Sequence, residues 1–326
     1  MTDKRILVTG GAGFIGSHTC KLLRDEGYQP IVYDNLSTGH RELVKFGPFV
    51  HGDICDGGAF RRALDAWRPE AVIHFAASAY VGESVAVPDR YYNNNVVGLL
   101  QVLDAMRQCN VSKIVFSSSC ATYGIPDQLP IPEFLAQRPI NPYGETKLIG
   151  ERIIRDYVAA FGLQAVALRY FNASGADRSG LLREIHDPET HLIPRALMAA
   201  AGMIPHLDVF GDDYPTPDGT CVRDYVHVED LADGHLRALR YLDAGDGYTF
   251  FNLGTGKGTS IREIIASIEA VFQVKIPIRV LPRRPGDPAT LYADATLAGE
   301  VLKFIPRYSD LATIVATAGR SFGLRR

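Results

Sequence analysis

The feature that most constrains the fold is a glycine-rich segment near the start of the chain, residues 5–18. A short run of apolar and β-favouring residues comes first and predicts a buried parallel strand. A diphosphate-binding turn between a strand and a helix needs glycines in this order: Gly10 for the tight turn, Gly13 for backbone approach, and Gly16 for close helix packing. The N–H groups and the positive dipole end of the following helix would face an anion.

A carboxylate at the end of the next strand identifies the dinucleotide. The strand-like run 30–33 ends in Asp34, about 20 residues beyond the glycines, where a carboxylate binds the adenosine ribose. No arginine adjoins Asp34, so a 2′-phosphate would meet repulsion. The sequence therefore predicts NAD rather than NADP, with the polar residues after Asp34 beside the adenosine half.

Strand-like and helix-like runs alternate as far as residue 171. The further predicted strands are 49–54, 71–77, 113–116 and 164–170, and the predicted helices are 56–67, 89–108 and 143–161. This alternation predicts a Rossmann-type doubly wound parallel sheet, an α/β fold, over residues 1–171. Glycine and proline become more frequent afterwards, which predicts a smaller, loop-rich substrate domain over 172–326. A segment near 225–250 could pack back on the first domain.

Composition excludes several classes of partner. The net charge of −3 provides no basic footprint for nucleic acid. No apolar run approaches the ~18 residues of a membrane span, and no signal peptide is visible. The five cysteines are scattered without a C-x-x-C pair, which is typical of reduced thiols. We therefore expect a cytoplasmic protein.

A tyrosine and a lysine one helical turn apart are the candidate catalytic pair. Tyr143 and Lys147 share one helix face, and Ser117–Ser119 end a strand at the sheet edge where ligands bind. A nearby ammonium and an oxidised nicotinamide would both favour the phenolate. That base, beside Ser119, could take a proton from a sugar hydroxyl while hydride leaves the same carbon. The alternative is an exposed cation–aromatic contact.

Two other features have simpler interpretations than ligand binding. His186 and His191 flank two carboxylates on a proline-containing loop, but no known metal-ligand spacing is present, so surface polarity or a substrate contact is favoured and no metal is predicted. The glycine-rich stretch 252–260 resembles a phosphate loop, yet Ser260 as the N-cap of a helix over 261–272 is the simpler interpretation.

The combined motifs resemble the UDP-glucose 4-epimerases of the extended short-chain dehydrogenase/reductase family, with the pentose 4-epimerases next. The resemblance covers nearly the whole chain and is carried by VTGGAGFIGSH, YDNLSTGH, GDI, IHFAA, SSSCATYG, NPYGETK, LRYFNASGAD, HDPETHLIP and RRPGD. It implies tightly bound NAD and a UDP-hexose substrate, UDP-glucose or UDP-galactose. Hydride would leave C4 to give a 4-keto intermediate and NADH, and the sugar would then turn and take hydride back on its other face.

The resemblance also assigns roles to residues. Tyr143 is the base, Lys147 tunes it, and Ser119 hydrogen-bonds the C4 oxygen. From the turn and the resemblance together, the candidate cofactor contacts are Gly10, Gly13, Phe14, Ile15, Gly16, Asp34, Asn35, Ser37, Thr38, Gly39, Asp53, Ile54, Phe75, Ala76, Ala77, Asn94, Ser117, Tyr143, Lys147 and Phe171. The candidate substrate contacts are Ser119, Tyr143, Asn172, His191, Leu192, Phe210, Arg223, Arg284, Asp287 and Leu291.

Departures from the family pattern affect the expected cofactor and substrate contacts and the choice among related enzyme classes. Ala79 replaces a lysine that contacts the cofactor in many epimerases, and His191 replaces an asparagine near the uridine phosphate. The related 4,6-dehydratases carry Thr-Asp-Glu where this chain has residues 119–121, and without that acid–base pair water elimination has no obvious agent. A UDP-pentose 4-epimerase and a catalytically silent NAD-binding regulatory protein remain as alternatives.

Two further expectations concern assembly and substrate breadth. The resemblance implies a homodimer that pairs the helix from about Asp89 with the helix of Tyr143. Apolar positions at helical spacing support it: Val96, Leu99, Leu103 and Met106. Leu291 stands where family members with tyrosine exclude N-acetylated sugars, so we expect slow but detectable turnover of UDP-N-acetylglucosamine.

Overall fold

The computed structural model describes residues 4–245, 247–284 and 286–325. The strands are β1 Arg5–Thr9, β2 Gln29–Asp34, β3 Phe49–His51, β4 Ala71–His74, β5 Lys113–Ser117, β6 Gln164–Tyr170, β7 Asn172–Ser174, β8 Leu207–Phe210, β9 Val222–Arg223, β10 Tyr225–His227, β11 Tyr248–Leu253, β12 Thr259–Ser260, β13 Ile278–Leu281 and β14 Thr290–Leu291. The α-helices are α1 Phe14–Asp25, α2 Gly57–Trp67, α3 Val81–Ala86, α4 Pro88–Tyr91, α5 Gly98–Gln108, α6 Pro142–Phe161, α7 Leu192–Ala200, α8 Val228–Tyr241, α9 Ile261–Phe272 and α10 Leu311–Gly319.

Seven parallel strands form the main sheet, in the order β11-β6-β5-β4-β1-β2-β3. The strand order reverses between β1 and β4, and open sheets of this kind bind ligands outside the carboxyl ends of the strands at that point. The predicted Rossmann-type doubly wound sheet is therefore confirmed.

Both faces of the sheet are buried, which explains why its strands are apolar throughout rather than alternating. In β1, Ile6 and Val8 belong to a core shared with α1 and α8, while Leu7 points into a core shared with α2 and α5. The side chains of all three residues are at most 1% exposed. The sheet thus divides the hydrophobic core into two layers.

Residues after 172 contribute to both parts of the molecule. Helices α7, α9 and α10 pack around a core of their own with β8. Helix α8 instead packs on α1, and β11 pairs in parallel with β6 at the edge of the main sheet. The chain therefore leaves the sheet after β6 and returns to it near residue 225.

The helix expected over 89–108 contains an irregularity and faces inward. Helices α4 and α5 are joined by a π-helical segment, Tyr92–Val97. Leu99, Leu103 and Met106 are each 0% exposed and pack in the core of their own subunit. The apolar stripe cited for dimerisation is thus already used, because α5 must cover the sheet, and that part of the argument is wrong.

The glycine-rich stretch before α9 is a turn held by a carboxylate. Asp224 accepts hydrogen bonds from the backbone N–H groups of Thr255, at 3.0 Å to Oδ1, and Gly256, at 3.2 Å to Oδ2. Those amides would otherwise face a phosphate. Ser260 caps α9 in a reciprocal capping box with Glu263, as predicted. Among the described residues, no helix is both long and apolar enough to cross a bilayer.

Candidate active site

The glycine turn brings two backbone segments into contact. Gly10 has a φ of +69°, and a Cβ there would lie 2.6 Å from the backbone nitrogen of Ala76 at the end of β4. A Cβ at Gly16 would lie 2.2 Å from the Gly10 carbonyl oxygen. Gly13 is the N-cap of α1 and contributes no side-chain cap, which leaves the first turn of the helix suited to an anion. The cradle fits a dinucleotide diphosphate.

Asp34 links the turn to the adenosine side. Its Oδ2 accepts from the backbone N–H of Ala12 at 3.0 Å, and its Oδ1 accepts from that of Leu36 at 2.8 Å. Burial raises the pKa of Asp34, and these two hydrogen bonds oppose the shift. Nearby, Asn35 Nδ2 donates to Asp53 Oδ2 at 2.9 Å. Asp34 and Asp53, both predicted cofactor contacts, therefore hold the loops on which they lie.

The predicted cofactor residues lie along one edge of the sheet, because each group follows the carboxyl end of a parallel strand. In strand order these are Gly10, Gly13, Phe14, Ile15 and Gly16 after β1, Asp34, Asn35, Ser37, Thr38 and Gly39 from the end of β2, Asp53 and Ile54 after β3, Phe75, Ala76 and Ala77 after β4, Ser117 at the end of β5, and Phe171 after β6. Asn94 lies in the π-helical segment, a feature frequent at functional sites, and donates at 3.0 Å to Asn95 Oδ1, which also accepts from the Ser78 N–H after β4.

Tyr143 and Lys147 lie in the first turns of α6. Asn141 caps this helix by accepting from the Gly144 N–H at 2.9 Å. The Lys147 ammonium donates to the Ser117 carbonyl oxygen at 2.7 Å and lies 5.9 Å from the centre of the Tyr143 ring. The exposed cation–aromatic alternative does not hold, because the lysine is only 3% exposed.

Burial dominates the electrostatics of this pair. Burial raises the pKa of the Tyr143 phenol, and the neighbouring Ser119 hydroxyl opposes that shift. Burial also lowers the pKa of Lys147 to about 7, although the nearby carboxylate of Glu151 acts to raise it. We expected the lysine to depress the tyrosine pKa, but desolvation dominates and raises that pKa. An added positive charge at the site would be required to favour the phenolate.

The three serines at the end of β5 have different partners. Ser117 Oγ lies 2.5 Å from the Tyr170 hydroxyl, and Ser118 donates to Glu151 Oε1 at 2.5 Å. Ser119 Oγ accepts from the Ala121 N–H at 3.1 Å and lies against Tyr143. Of the three, Ser119 is therefore the hydroxyl placed to meet a substrate oxygen at the phenol.

A buried ion pair beneath these residues was not anticipated from the sequence. Arg169 Nε donates to Glu151 Oε1 at 2.9 Å, and both side chains are 4% exposed. The same Arg169 donates to the Tyr123 hydroxyl at 3.0 Å. Glu151 also accepts from Ser118, so one carboxylate connects α6, β5 and β6. Its position four residues after Lys147, on the same helix face, is the signal that could have revealed it.

The predicted substrate residues come from several loops of the second half. Arg223 of β9 makes an ion pair with Asp287 and lies opposite Leu291 in the β9–β14 pairing. The guanidinium of Arg284 lies 3.9 Å from the centre of the Phe210 ring. Arg223 therefore already has a carboxylate partner, while Arg284 is exposed and stacked on an aromatic ring.

The loop after β5 and the loops that carry predicted substrate residues meet at a small apolar cluster. Phe171 belongs to this cluster, and Leu291 and Cys120 pack against it. Asn172 Nδ2 donates to the Asp224 carbonyl oxygen at 3.0 Å, beside Arg223. Ser119 therefore precedes Cys120, which packs against the same cluster as Leu291. His191 and Leu192 lie apart from this cluster, at the N-terminus of α7.

Comparison with known proteins gives a consistent result. Residues 6–254 match the NAD dependent epimerase/dehydratase family. The UDP-glucose 4-epimerase of Rhizobium leguminosarum bv. trifolii is 49% identical over 98% of this chain and 97% of its own. The crystal structure of the Brucella ovis UDP-glucose 4-epimerase in complex with NAD is 59% identical, covers 99% of both chains, and has a TM-score of 0.97.

A third similar protein contains a sugar nucleotide. The UDP-glucose-4-epimerase structure from Stenotrophomonas maltophila, with bound NAD and formylated UDP-arabinopyranose, is 39% identical with a TM-score of 0.95, and the match covers 98% of both chains.

The buried ion pair gives a stability prediction. Replacing Glu151 with glutamine leaves the Arg169 charge buried beside a neutral partner, so we expect the free energy of unfolding to fall by about 3–5 kcal/mol in urea denaturation. Glu42→Gln is the matched control, because its pair with Arg183 is exposed and should contribute less than about 1 kcal/mol.

A double variant tests whether the cost arises from the unpaired charge. Adding Arg169→Met to Glu151→Gln should recover at least about 1 kcal/mol relative to the sum of the single effects. Equal losses for the Glu151 and Glu42 variants, or strictly additive effects in the double variant, would contradict this interpretation.

Proposed function

The chain belongs to the NAD dependent epimerase/dehydratase family, and we propose that it interconverts UDP-glucose and UDP-galactose at C4 of the sugar. The observation that carries this proposal is the position of Ser119, Tyr143 and Lys147 between a dinucleotide-binding edge and two arginines of the second half. We propose that acid–base groups, a hydride acceptor site and a diphosphate-binding set come together in one cleft.

Residues of this chain would hold NAD along the carboxyl edge of the sheet. The turn at Gly10 and Gly16 has room only for backbone, and α1 directs its N-terminus at the diphosphate position. We propose Asp34 as the partner of the adenosine ribose hydroxyls. NAD, when bound, supplies the acceptor and donor of hydride. Its oxidised ring also carries the positive charge that favours the Tyr143 phenolate.

The proton moves between the sugar hydroxyl and Tyr143. The phenolate accepts the proton of the C4 hydroxyl as the C4–H bond breaks, and returns it when the 4-keto sugar is reduced on its other face. Ser119 donates a hydrogen bond to the C4 oxygen in both steps. Lys147, fixed by the Ser117 carbonyl oxygen, provides a positive charge near the phenol and positions it.

The second half would bind the nucleotide. We propose that Arg223 and Arg284 bind the diphosphate and ribose region, since guanidinium groups form charge-assisted hydrogen bonds with phosphate oxygens. Asp287, now paired with Arg223, could accept from ribose hydroxyls. Phe210 would then provide an apolar surface for the uridine side, on which Arg284 already stacks.

The alternatives can be separated in one experiment. The purified protein is incubated with UDP-galactose and, separately, with UDP-xylose, and the products are resolved by chromatography. We expect conversion of UDP-galactose to dominate. Preferential conversion of UDP-xylose would favour the pentose enzyme, and absence of any conversion by protein that retains NAD would favour the regulatory alternative.

We also propose a homodimer and a cytoplasmic location. Five apolar side chains near α4 and α6 are between 38% and 65% exposed. They form an apolar surface and are Val81, Val85, Val87, Tyr92 and Val97. A second copy of this chain would cover that surface. All five cysteines are free thiols, which fits a reducing compartment.

The general base gives the first functional prediction. Tyr143→Phe removes the phenol while keeping the ring, so we expect turnover of UDP-galactose to fall at least ~100-fold with NAD content unchanged. Tyr157→Phe on the same helix is the control, because its hydroxyl bonds Asp104 away from the site. Activity of the Tyr143 variant within a few-fold of wild type would refute the assignment.

Leu291 gives a prediction about substrate breadth. Leucine supplies space for an N-acetyl group but no hydrogen-bond partner, so UDP-N-acetylglucosamine should react slowly. Leu291→Tyr should lower kcat/KM for that substrate at least ~10-fold relative to UDP-galactose. Leu291→Met keeps the volume and should leave the ratio nearly unchanged. An unchanged ratio in the tyrosine variant would show that Leu291 is not the gate.

The apolar surface gives a prediction about assembly. Val97→Glu places a charge on it and should convert a dimer to a monomer in light scattering at micromolar concentration. Val280→Glu is the control, because Val280 is equally exposed, at 43% against 42%, but lies on β13. A monomeric wild-type protein, or a Val97 variant that remains dimeric, would contradict the proposal.

A further inference from the structure

A cluster of two histidines and two glutamates lies in the segment that leads into α7. Its members are Glu184, His186, Glu189 and His191, and the four ligand atoms that they offer all lie within 4.8 Å of one another. The segment packs beside the start of α1, since the rings of His186 and Phe14 are 6.4 Å apart. The cluster therefore lies beside Phe14, a predicted cofactor contact, and it includes His191, a predicted substrate contact.

Four nitrogen–oxygen distances in the cluster lie near the separation between ligands in a tetrahedral metal site. Glu184 Oε1 lies 3.2 Å from His186 Nδ1 and 3.4 Å from His191 Nδ1. The two oxygens of Glu189 contact different histidines: Oε1 lies 2.9 Å from His191 Nδ1, and Oε2 lies 3.5 Å from His186 Nδ1. A tetrahedral zinc ion with ligand bonds of about 2.0–2.1 Å separates its ligands by about 3.3 Å. The four distances scatter around that value.

Hydrogen bonding accounts for His191 but not for His186, since Glu189 Oε1 accepts from the His191 backbone N–H at 2.8 Å and lies 2.9 Å from His191 Nδ1. His186 Nδ1 is buried and makes no aligned hydrogen bond, although two carboxylate oxygens lie within 3.5 Å. An imidazole lone pair aimed at a point shared by several ligands is what a metal ion requires, whereas an N–H donor would align with one oxygen.

The charges of the cluster favour a cation. The side chains of Glu184 and Glu189 are 8% and 11% exposed, and buried carboxylates must be paired or must coordinate a metal. Two imidazoles and two carboxylates are a ligand set that suits zinc.

We propose that Glu184, His186, Glu189 and His191 form a zinc-binding site that fixes the segment carrying His191 into α7. The site is structural, because all four positions of the tetrahedron are occupied by protein. It would hold in place the start of α7, where His191 and Leu192 lie. The proposal rests on the cluster alone and holds whichever sugar nucleotide the protein accepts.

The test is zinc binding by the untagged, chelator-treated full chain. Isothermal titration with zinc chloride should show one site per chain, tight enough to compete with a chelator of micromolar affinity. Replacement by cobalt should give the intense visible absorption of a tetrahedral site. Glu184→Gln and His186→Asn should each weaken zinc binding at least about 100-fold, since even outer-shell substitutions weaken metal sites by up to that factor.

His206→Asn is the matched control, because His206 lies 3.4 Å from a single carboxylate, Asp208, outside the cluster. It should leave the zinc affinity unchanged. Circular dichroism and retained NAD show that each variant is folded. Absence of a stoichiometric site, octahedral-type weak cobalt absorption, or equal effects of the control and cluster variants would overturn the proposal and identify the cluster as an imidazolium–carboxylate ion-pair network.

Discussion

The close approach of two backbone segments, Gly10 at the end of β1 and Ala76 at the end of β4, is the constraint on which the rest of the structure depends. No side chain fits between them, because a Cβ at Gly10 would lie 2.6 Å from the Ala76 nitrogen. This contact lies where the strand order reverses, so it forms the floor of the cleft. Every parallel strand that ends at the same edge then delivers its following loop to that cleft.

A second, polar constraint connects that edge to the chemistry. Glu151 joins Ser118 of the loop after β5 to Arg169 of β6, and it lies one turn beyond Lys147 on α6. The lysine is itself fixed by the Ser117 carbonyl oxygen. Because these groups are buried and hydrogen-bonded, they restrict the movement of Tyr143 and Lys147, the proposed catalytic side chains. Precise placement of the phenol follows from packing beneath the site rather than from contacts within it.

The sequence was informative where function needs a local pattern. The turn at Gly10, the spacing of Tyr143 and Lys147, and the capping of α9 by Ser260 are all short-range, and each was predictable. Contacts between distant segments were not. The burial of Leu103 is an example. Its spacing along the helix is the same whether that helix face packs against a partner subunit or against the sheet of its own subunit, so the sequence pattern cannot distinguish the two. The pairing of Glu151 with Arg169 likewise needed the fold, because periodicity does not name a partner.

The central claim is that this protein transfers hydride from C4 of a UDP-sugar to NAD and returns it to the same carbon. The most direct measurement uses UDP-galactose carrying deuterium at C4, incubated with the full chain in ordinary water and followed by NMR and mass spectrometry of the product. The account predicts UDP-glucose that keeps its deuterium at C4. Loss of the deuterium to solvent, or its appearance at a carbon other than C4, would contradict it.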